Sequence, residues 1–542
     1  MTGDQIRDRC AAFERLARAV IDDMLERQPS LATALGDHRF DDRLEDLRPE
    51  AVAEEVGILR RHLRDLAALE LSELPADYRV DAEILRNKVT ERLFELEVLR
   101  EHTWNPLASN PGTSLYLLLA RDFAPRDERL RSLARRLQAV PERLADARRA
   151  LGTMPQIHVE TAIDQFTGTL HLVTEEIPAR MSDSLAAKGV RDALPAAAEA
   201  LRDHLKWLSE QYEYADRNPR LGRELFAAKL ALVLDVQRSP EQVLTSALQE
   251  VEEIEERLQV VASQLGGSPR DVFDQLAAEA PNDETIVDEA RAALAEATEY
   301  VTTHDLVTVH ADPLEIIVMP EIHRGVAVAY CDPPGPLDPP NTPTFFAIAP
   351  TPSSWSPERV ASFYREYNRH ALRNLVVHEA MPGHMLQLAH ARRAPTPTIV
   401  RRAFWSGPFV EGWAVFAEEF MVRHGFGGPA VAMQQLKMRL RSALNAVLDV
   451  RVHCDDLSEA EAMRLMRHKG YQEEGEAVGK WRRALLTSTQ LSTYHVGATE
   501  VAGCAARIRA QRPTWSIREV HDALLAHGSP PPRHLPALLG VD

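Results

Sequence analysis

From the start of the chain to about residue 300, apolar residues recur at three- and four-residue steps with charges between them, the signature of helices that bury one face. Phe13 to Arg27, Ala51 to Leu69, Asp81 to Arg100 and Asp127 to Leu151 all read this way. Ser239 opens a well-marked helix, with Pro240 in its first position and Gln242 completing a capping box. Val243, Leu244, Ala247, Leu248, Val251, Ile254 and Leu258 form its buried stripe. The acidic run Glu250, Glu252, Glu253, Glu255 and Glu256 is then its solvated face rather than a binding tail.

The pattern changes near residue 305. Leu314 to Met319, Val326 to Tyr330 and Thr344 to Ala349 are short, rich in β-branched and aromatic residues and bounded by turn formers, which predicts a small sheet. Between the last two lies Asp332 to Pro343, too crowded with proline for a helix and long enough to be a lid or rim. Helix resumes at Ser356-Pro357-Glu358, breaks near Asn368, and continues through Leu372, Leu375 and Val376 to His378. A helical scaffold over residues 1–304 and a sheet-plus-helix catalytic part over 305–542 are expected, the whole mainly α with a small β-sheet beside the metal-binding helix.

That helix delivers His378-Glu379-Ala380-Met381-Pro382-Gly383-His384. Two imidazoles suit zinc, and a Glu beside the first can take a proton from water, the logic of HExxH hydrolases. On an unbroken helix, histidines six apart would point about 120° from one another. A turn at Pro382-Gly383 is therefore needed to return His384 towards His378. Read alone, His378 can equally be an ordinary histidine at a helix end, with Pro-Gly as its stop signal.

A hydrolytic zinc needs a third protein ligand and an open position. Glu411, opening Phe409-Val410-Glu411-Gly412-Trp413-Ala414-Val415-Phe416-Ala417-Glu418-Glu419, is the best candidate. Its alternative is a first-turn Glu favoured by the helix dipole. Glu418, seven positions on and nearly on the same face, can orient a ligand histidine. His453 and Tyr494 sit in apolar helical pattern, either as donors to a developing oxyanion or as satisfied core residues. The order sheet, then metal helix, is that of zinc peptidases of the thermolysin type, where substrate lies along an edge strand. By that analogy Thr344 to Ala349 is the edge, with Phe345 and Ala347 towards substrate.

The remaining properties narrow the class. The chain has 542 residues, 45% hydrophobic and 27% charged, with formal net charge -18. An acidic chain without a long basic run argues against nucleic acid and anionic membrane as partners. The opening Met1 to Asp8 lacks the basic start and apolar core of a signal peptide, and no stretch approaches a membrane span, so a cytoplasmic protein is expected. Cys10, Cys331, Cys454 and Cys504 are far apart with no CxxC pair, which predicts reduced, structural cysteines.

Three motifs carry a family resemblance: His-Glu-x-x-Pro-Gly-His at 378–384, Glu-Gly-Trp-Ala at 411–414 and Gln-x-x-x-Tyr-x-x-Gly at 490–497. Together with Pro29 to Asp37 and Asp41 to Leu44, they resemble the bacterial family known as domain of unknown function 885 (DUF885). The resemblance implies a two-lobed, mostly helical, gluzincin-like metallopeptidase fold closed over a groove. It also implies zinc held by His378, His384 and Glu411, with Glu379 as general base, and it leaves the substrate open. Two positions depart from the family pattern. Ser488 stands where Pro is frequent, and Arg451 stands where Gly is usual, narrowing the site or anchoring a substrate carboxylate. The expectation is a zinc-dependent hydrolase of an amide bond in a short peptide. A zinc hydrolase of a non-peptide amide, and a helical binding protein with a vestigial metal site, are the rivals. Oligomeric state is not read.

Overall fold

The computed structural model describes residues 2–312, 314–319, 329–339, 342–352 and 355–541. Among these residues the protein is mainly helical with one small three-stranded sheet, and its chain packs into two units. The first comprises Met1–Pro219 with two returning segments, Pro334–Thr342 and Thr398–Ala403; the second holds the rest.

In the first unit the periodic segments are the helices Gly3–Arg27, Pro49–Ala68, Ala76–Phe94 and Arg126–Ala150 (α1). The third continues through a π turn, Glu95–Leu99, and stops at Arg100 in the left-handed region. α1 packs along Leu185–Gln211 (α2), burying Leu133, Leu137, Val140, Val190 and Leu201. The two returning segments are tied by specific bonds. Leu337 donates its N–H to the Leu35 carbonyl at 2.9 Å. His38 bridges Asp41 and Asp338 at 3.0 and 3.1 Å and stacks on Phe123. Arg401 is buried against Asp81 at 2.6 Å. The proline-crowded stretch read as a lid or rim thus lies in this unit over its described residues 334–339 and 342.

The second unit begins at Arg220, so the packing boundary falls at 219/220 rather than at the change of character near 304. Pro240–Gln264 (α3) has the Ser239 capping box and buries Val243, Ala247, Val251, Ile254 and Leu258, while Leu248 of the expected stripe is exposed. Ile286–Thr303 (α4) follows. The strands are Leu314–Val318 (β1), Ala329–Asp332 (β2) and Thr344–Ile348 (β3). Val326 to Val328, expected in the second strand along the chain, lie outside the described residues. β3 pairs in parallel with β1, Leu314 opposite Thr344, and antiparallel with β2, Ala329 opposite Ile348. Among the described residues the order is β1-β3-β2. β3 is therefore the central strand, which overturns its reading as an edge. Pro343 and Pro350 flank it without removing any donor from within it.

Then come Arg369–Glu379 (α5), His384–Arg393 (α6), Gly407–Arg423 (α7), the long Gly428–Cys454 (α8), Glu474–Leu486 (α9) and Thr493–Gln511 (α10). α8 is buried on nearly every side, with α3, α5 and α10 against it, and α4 packs on α5. Its buried charges are consequently paired, because a buried charge without a partner is costly. Glu366 takes Lys437 and Arg441 at 3.0 and 2.6 Å. Asp449 accepts three hydrogen bonds from Thr489 and Ser492, and its burial pushes its pKa up to about 6.

Candidate metal centre

α5 starts where Asn368 caps the N–H groups of His370 and Ala371, and it buries Leu372, Asn374, Val376 and Val377. The helix ends at Glu379, and the chain turns through a cis Met381-Pro382 bond. Gly383 is required for room. A Cβ there would lie 1.8 Å from the His378 carbonyl oxygen and 2.3 Å from that of Val377. Its φ is -74°, so close approach, not a left-handed backbone, excludes other residues. The Trp413 indole N–H donates to the Pro382 carbonyl at 2.9 Å and pins the corner to α7. His384 thereby opens α6 with its ring 4.7 Å from that of His378, the planes at 84°.

Glu411 enters from the first turns of α7, whose N-cap is Ser406. Its Oε2 is 3.4 Å from His378 Nε2 and 3.5 Å from His384 Nε2. These separations are too long for good hydrogen bonds. They suit ligands sharing a zinc: at ~2.05 Å per metal–ligand bond, a tetrahedron has edges of ~3.3 Å. Glu411 Oε2 is also buried with no hydrogen-bond donor. The three residues form the one group among the described residues whose His, Cys, Asp or Glu atoms converge as for a metal. Burial would push the Glu411 carboxyl up, but the two imidazoles hold it well below the usual carboxylate range. Burial would likewise push His378 down, yet Glu411, Glu418 and Glu379 raise it well above an ordinary histidine. The field at the triad favours positive charge.

Glu418 accepts from His378 Nδ1 at 2.7 Å and from Asn374 Nδ2 at 2.7 Å. This leaves Nε2 of His378 facing Glu411 and His384, the arrangement in which an outer carboxylate fixes the tautomer of a ligating histidine. Asn374 escaped the sequence reading, although it lies one turn before His378 and so on the same face. Glu379 points elsewhere: its Oε2 accepts the Cys331 N–H at 3.1 Å. β2, with its outer edge towards Glu379, thus stands where β3 was expected. Phe345 and Ala347 are interior to the sheet, with Ala347 fully buried.

A cavity of about 220 Å³ opens beside this group, lined by His378, Glu379, Glu418 and Tyr494 among others. His453 and Arg451 are not on its wall. Both His453 nitrogens are engaged: Nε2 donates to the carbonyls of Ala484 and Thr487 at 3.0 and 2.9 Å, and Nδ1 accepts the Leu221 N–H at 3.3 Å. Burial pushes its pKa down to about 4. His453 therefore ties α8 to α9 and cannot serve an oxyanion. Arg451 belongs to another face of α8, about 120° round from the stripe Gln434, Met438, Arg441 and Asn445 that meets the cavity. Among the described residues the cations on the wall are Arg441, Lys480 and Arg483, none of them within a motif of the sequence.

Fold and site together define a mainly helical protein with a small sheet and a His-His-Glu cluster whose ligand atoms lie close enough to hold a metal ion. The family described as "Bacterial protein of unknown function (DUF885)" matches residues 29–539, and the chain belongs to it. Two solved structures resemble it over nearly their whole length. One is described as "a putative lipoprotein of unknown function from Shewanella oneidensis", with 26% identity, TM-score 0.83, and 97% of this chain and 99% of that one covered. The other, "the putative lipoprotein from Colwellia psychrerythraea", has 15% identity, TM-score 0.82 and 98% of each chain covered, and shows likeness of fold alone. No curated protein matches the chain. No helix among the described residues is long and apolar enough to cross a membrane. The descriptions of the two relatives give the cytoplasmic expectation no support.

Proposed function

We propose that this protein is a zinc-dependent hydrolase that cleaves an amide bond in short peptides, with the site chemistry of the gluzincin-like metallopeptidases. The observation that carries the reading is the spacing of His378, His384 and Glu411, which matches the edges of a zinc tetrahedron, with Glu379 on the wall of the adjoining cavity. His378 and His384 would hold the ion through Nε2, and Glu411 through a carboxylate oxygen. When bound, zinc supplies a Lewis acid that polarises the substrate carbonyl and makes water more acidic.

The chain's own groups do the rest. Glu379 takes a proton from the attacking water and passes it to the leaving amine. The Cys331 N–H holds that carboxylate in place. Tyr494 donates its O–H to the carbonyl oxygen as negative charge gathers there. Glu418, steadied by Asn374, keeps the His378 ring in one tautomer.

The test is metal analysis followed by hydrolysis of a panel of short peptides and acylated amines. One zinc per chain is expected, with activity lost on chelation and restored by zinc. A protein that neither holds nor gains zinc would leave only the vestigial helical binding protein. Glu379→Gln should keep its zinc while hydrolysis falls about 10²- to 10⁴-fold. Full activity of that zinc-loaded variant would remove Glu379 from the mechanism.

A further inference from the structure

Besides His378 and Glu379, the cavity wall carries Arg441, Lys480 and Arg483. Cations shielded from water gain from partners; Arg441 is buried, and Lys480 and Arg483 are half-buried. Arg441 has one in the carboxylate of Glu366, which it shares with Lys437. Among the described residues the other two have no carboxylate within ion-pair reach. The Arg483 guanidinium, among the same residues, reaches the Tyr494 hydroxyl, at 3.4 Å. Lys480 Nζ makes no hydrogen bond or ion pair with the described residues, and Glu476, one turn earlier, attracts it only at longer range. Burial, with repulsion from Arg483 and Arg441, pushes the Lys480 ammonium down to about 8, and an anion brought alongside would favour its charged form. Lys480 and Arg483 are three apart on α9 and hence neighbours on one face. The rest of the wall includes the apolar Ala371, Leu375 and Val415.

We propose that Lys480 and Arg483 bind the free C-terminal carboxylate of the substrate, so that the site removes single residues from the ends of short peptides. The proposal rests on the zinc hydrolase reading and names its substrate class. A guanidinium and an ammonium side by side match a carboxylate in charge and in donors. At about 220 Å³ the cavity is smaller than the ~300–1,000 Å³ typical of pockets for drug-sized ligands, which suits one residue beyond the cleaved bond. Water adds its oxygen to the penultimate residue's carbonyl carbon, and the C–N bond to the last residue breaks. One water proton travels through Glu379 to the leaving nitrogen. The products are a peptide shorter by one residue and a free amino acid. A non-peptide amide with no anionic end would leave both cations unmatched.

The experiment measures binding by calorimetry to zinc-loaded Glu379→Gln protein, using acetyl-Ala-Ala-Phe, acetyl-Ala-Ala-Leu and acetyl-Ala-Ala-Ala, each as free acid and as amide. The acids should bind about 10- to 100-fold more tightly than their amides. Lys480→Met and Arg483→Met, checked for unchanged thermal unfolding, should each erode that ratio, and Lys480→Arg should retain most of it. Equal affinity for acid and amide, no binding of either, or a ratio that survives both Met substitutions would overturn the proposal. The parent reading fails separately. Acid-selective binding with no hydrolysis by the wild-type zinc protein would uphold the carboxylate site and remove the hydrolase. Equal hydrolysis of acids and amides would uphold the hydrolase and remove this site.

Discussion

Gly412 and Gly497 meet backbone to backbone: a Cβ on Gly412 would lie 2.4 Å from the Gly497 carbonyl carbon, and one on Gly497 would lie 2.1 Å from the Pro408 carbonyl oxygen. The contact draws α7 and α10 together at the turn that carries Glu411 on one helix and, three residues before Gly497, Tyr494 on the other. Neither obstacle is a flexible side chain, so Gly497→Ala must push the helices apart. A loss of about 1–3 kcal/mol is expected from overpacking of this kind, read as a lower Tm together with weaker zinc retention. Unchanged Tm and zinc content would mean that the close approach is dispensable.

Glu411 and Glu418 share a helix face but differ in the roles proposed for them. Glu411→Ala takes away a ligand and should abolish stoichiometric zinc binding. Glu418→Ala leaves all three ligands but frees the His378 ring, and loss of such outer support typically weakens metal binding about 10- to 100-fold. Chelator competition on the two variants checks the order. Equal zinc affinity in Glu411→Ala and wild type would remove Glu411 from the ligand set.

Much of this was written locally in the chain. The break near Asn368, Ser239 with its capping box and the apolar stripe after it, Leu248 excepted, depend on neighbours within one or two turns, and they were legible locally. The Pro382-Gly383 corner was legible because proline and glycine constrain the backbone directly, although the demand on Gly383 proved to be one of space. Strand order was not legible. Whether β3 has one neighbour or two is set by partners 30 and 19 residues away, Leu314 opposite Thr344 and Ala329 opposite Ile348, and not by β3 itself. His453 misled for a related reason: a polar residue in an apolar helix looks the same whether it faces a cavity or two backbone carbonyls. Lys480 and Arg483 carried no signal, since charges on a short amphipathic helix ordinarily face water.

The His38 cluster in the first unit predicts an alkaline weakness. Burial alone would push the His38 pKa down, but hydrogen bonds and attraction from Asp338 and Asp41 raise it to about 9, against an ordinary value of 6.5. A group whose folded pKa is raised stabilises fully below its unfolded pKa, so this contribution is complete below pH ~6.5 and fades as pH climbs through ~9. It is of order 1–3 kcal/mol, because one pKa unit corresponds to ~1.4 kcal/mol and the cluster is only partly buried. Thermal unfolding from pH 6.5 to 9.5 should show a falling Tm in wild type and a shallower fall in His38→Gln. Parallel slopes would mean that the cluster is not the source.

Tyr494 offers the most discriminating substitution, because its hydroxyl stands between two proposed tasks. It lines the cavity with Glu379, as a donor to the developing oxyanion must, and it lies within 3.4 Å of Arg483, which is assigned to the substrate carboxylate. Tyr494→Phe removes only the O–H and should leave folding and zinc content unchanged. A donor that acts on the oxyanion strengthens in the transition state, so its loss lowers kcat, typically by about 10²- to 10³-fold, with KM little altered. A donor that merely positions Arg483 would act on substrate binding instead, raising KM while kcat holds. The first pattern is expected, measured by steady-state kinetics on whichever acetyl-tripeptide the binding experiment selects. The second would move Tyr494 from the reacting carbonyl to the support of Arg483, and unchanged kcat and KM would return it to the core.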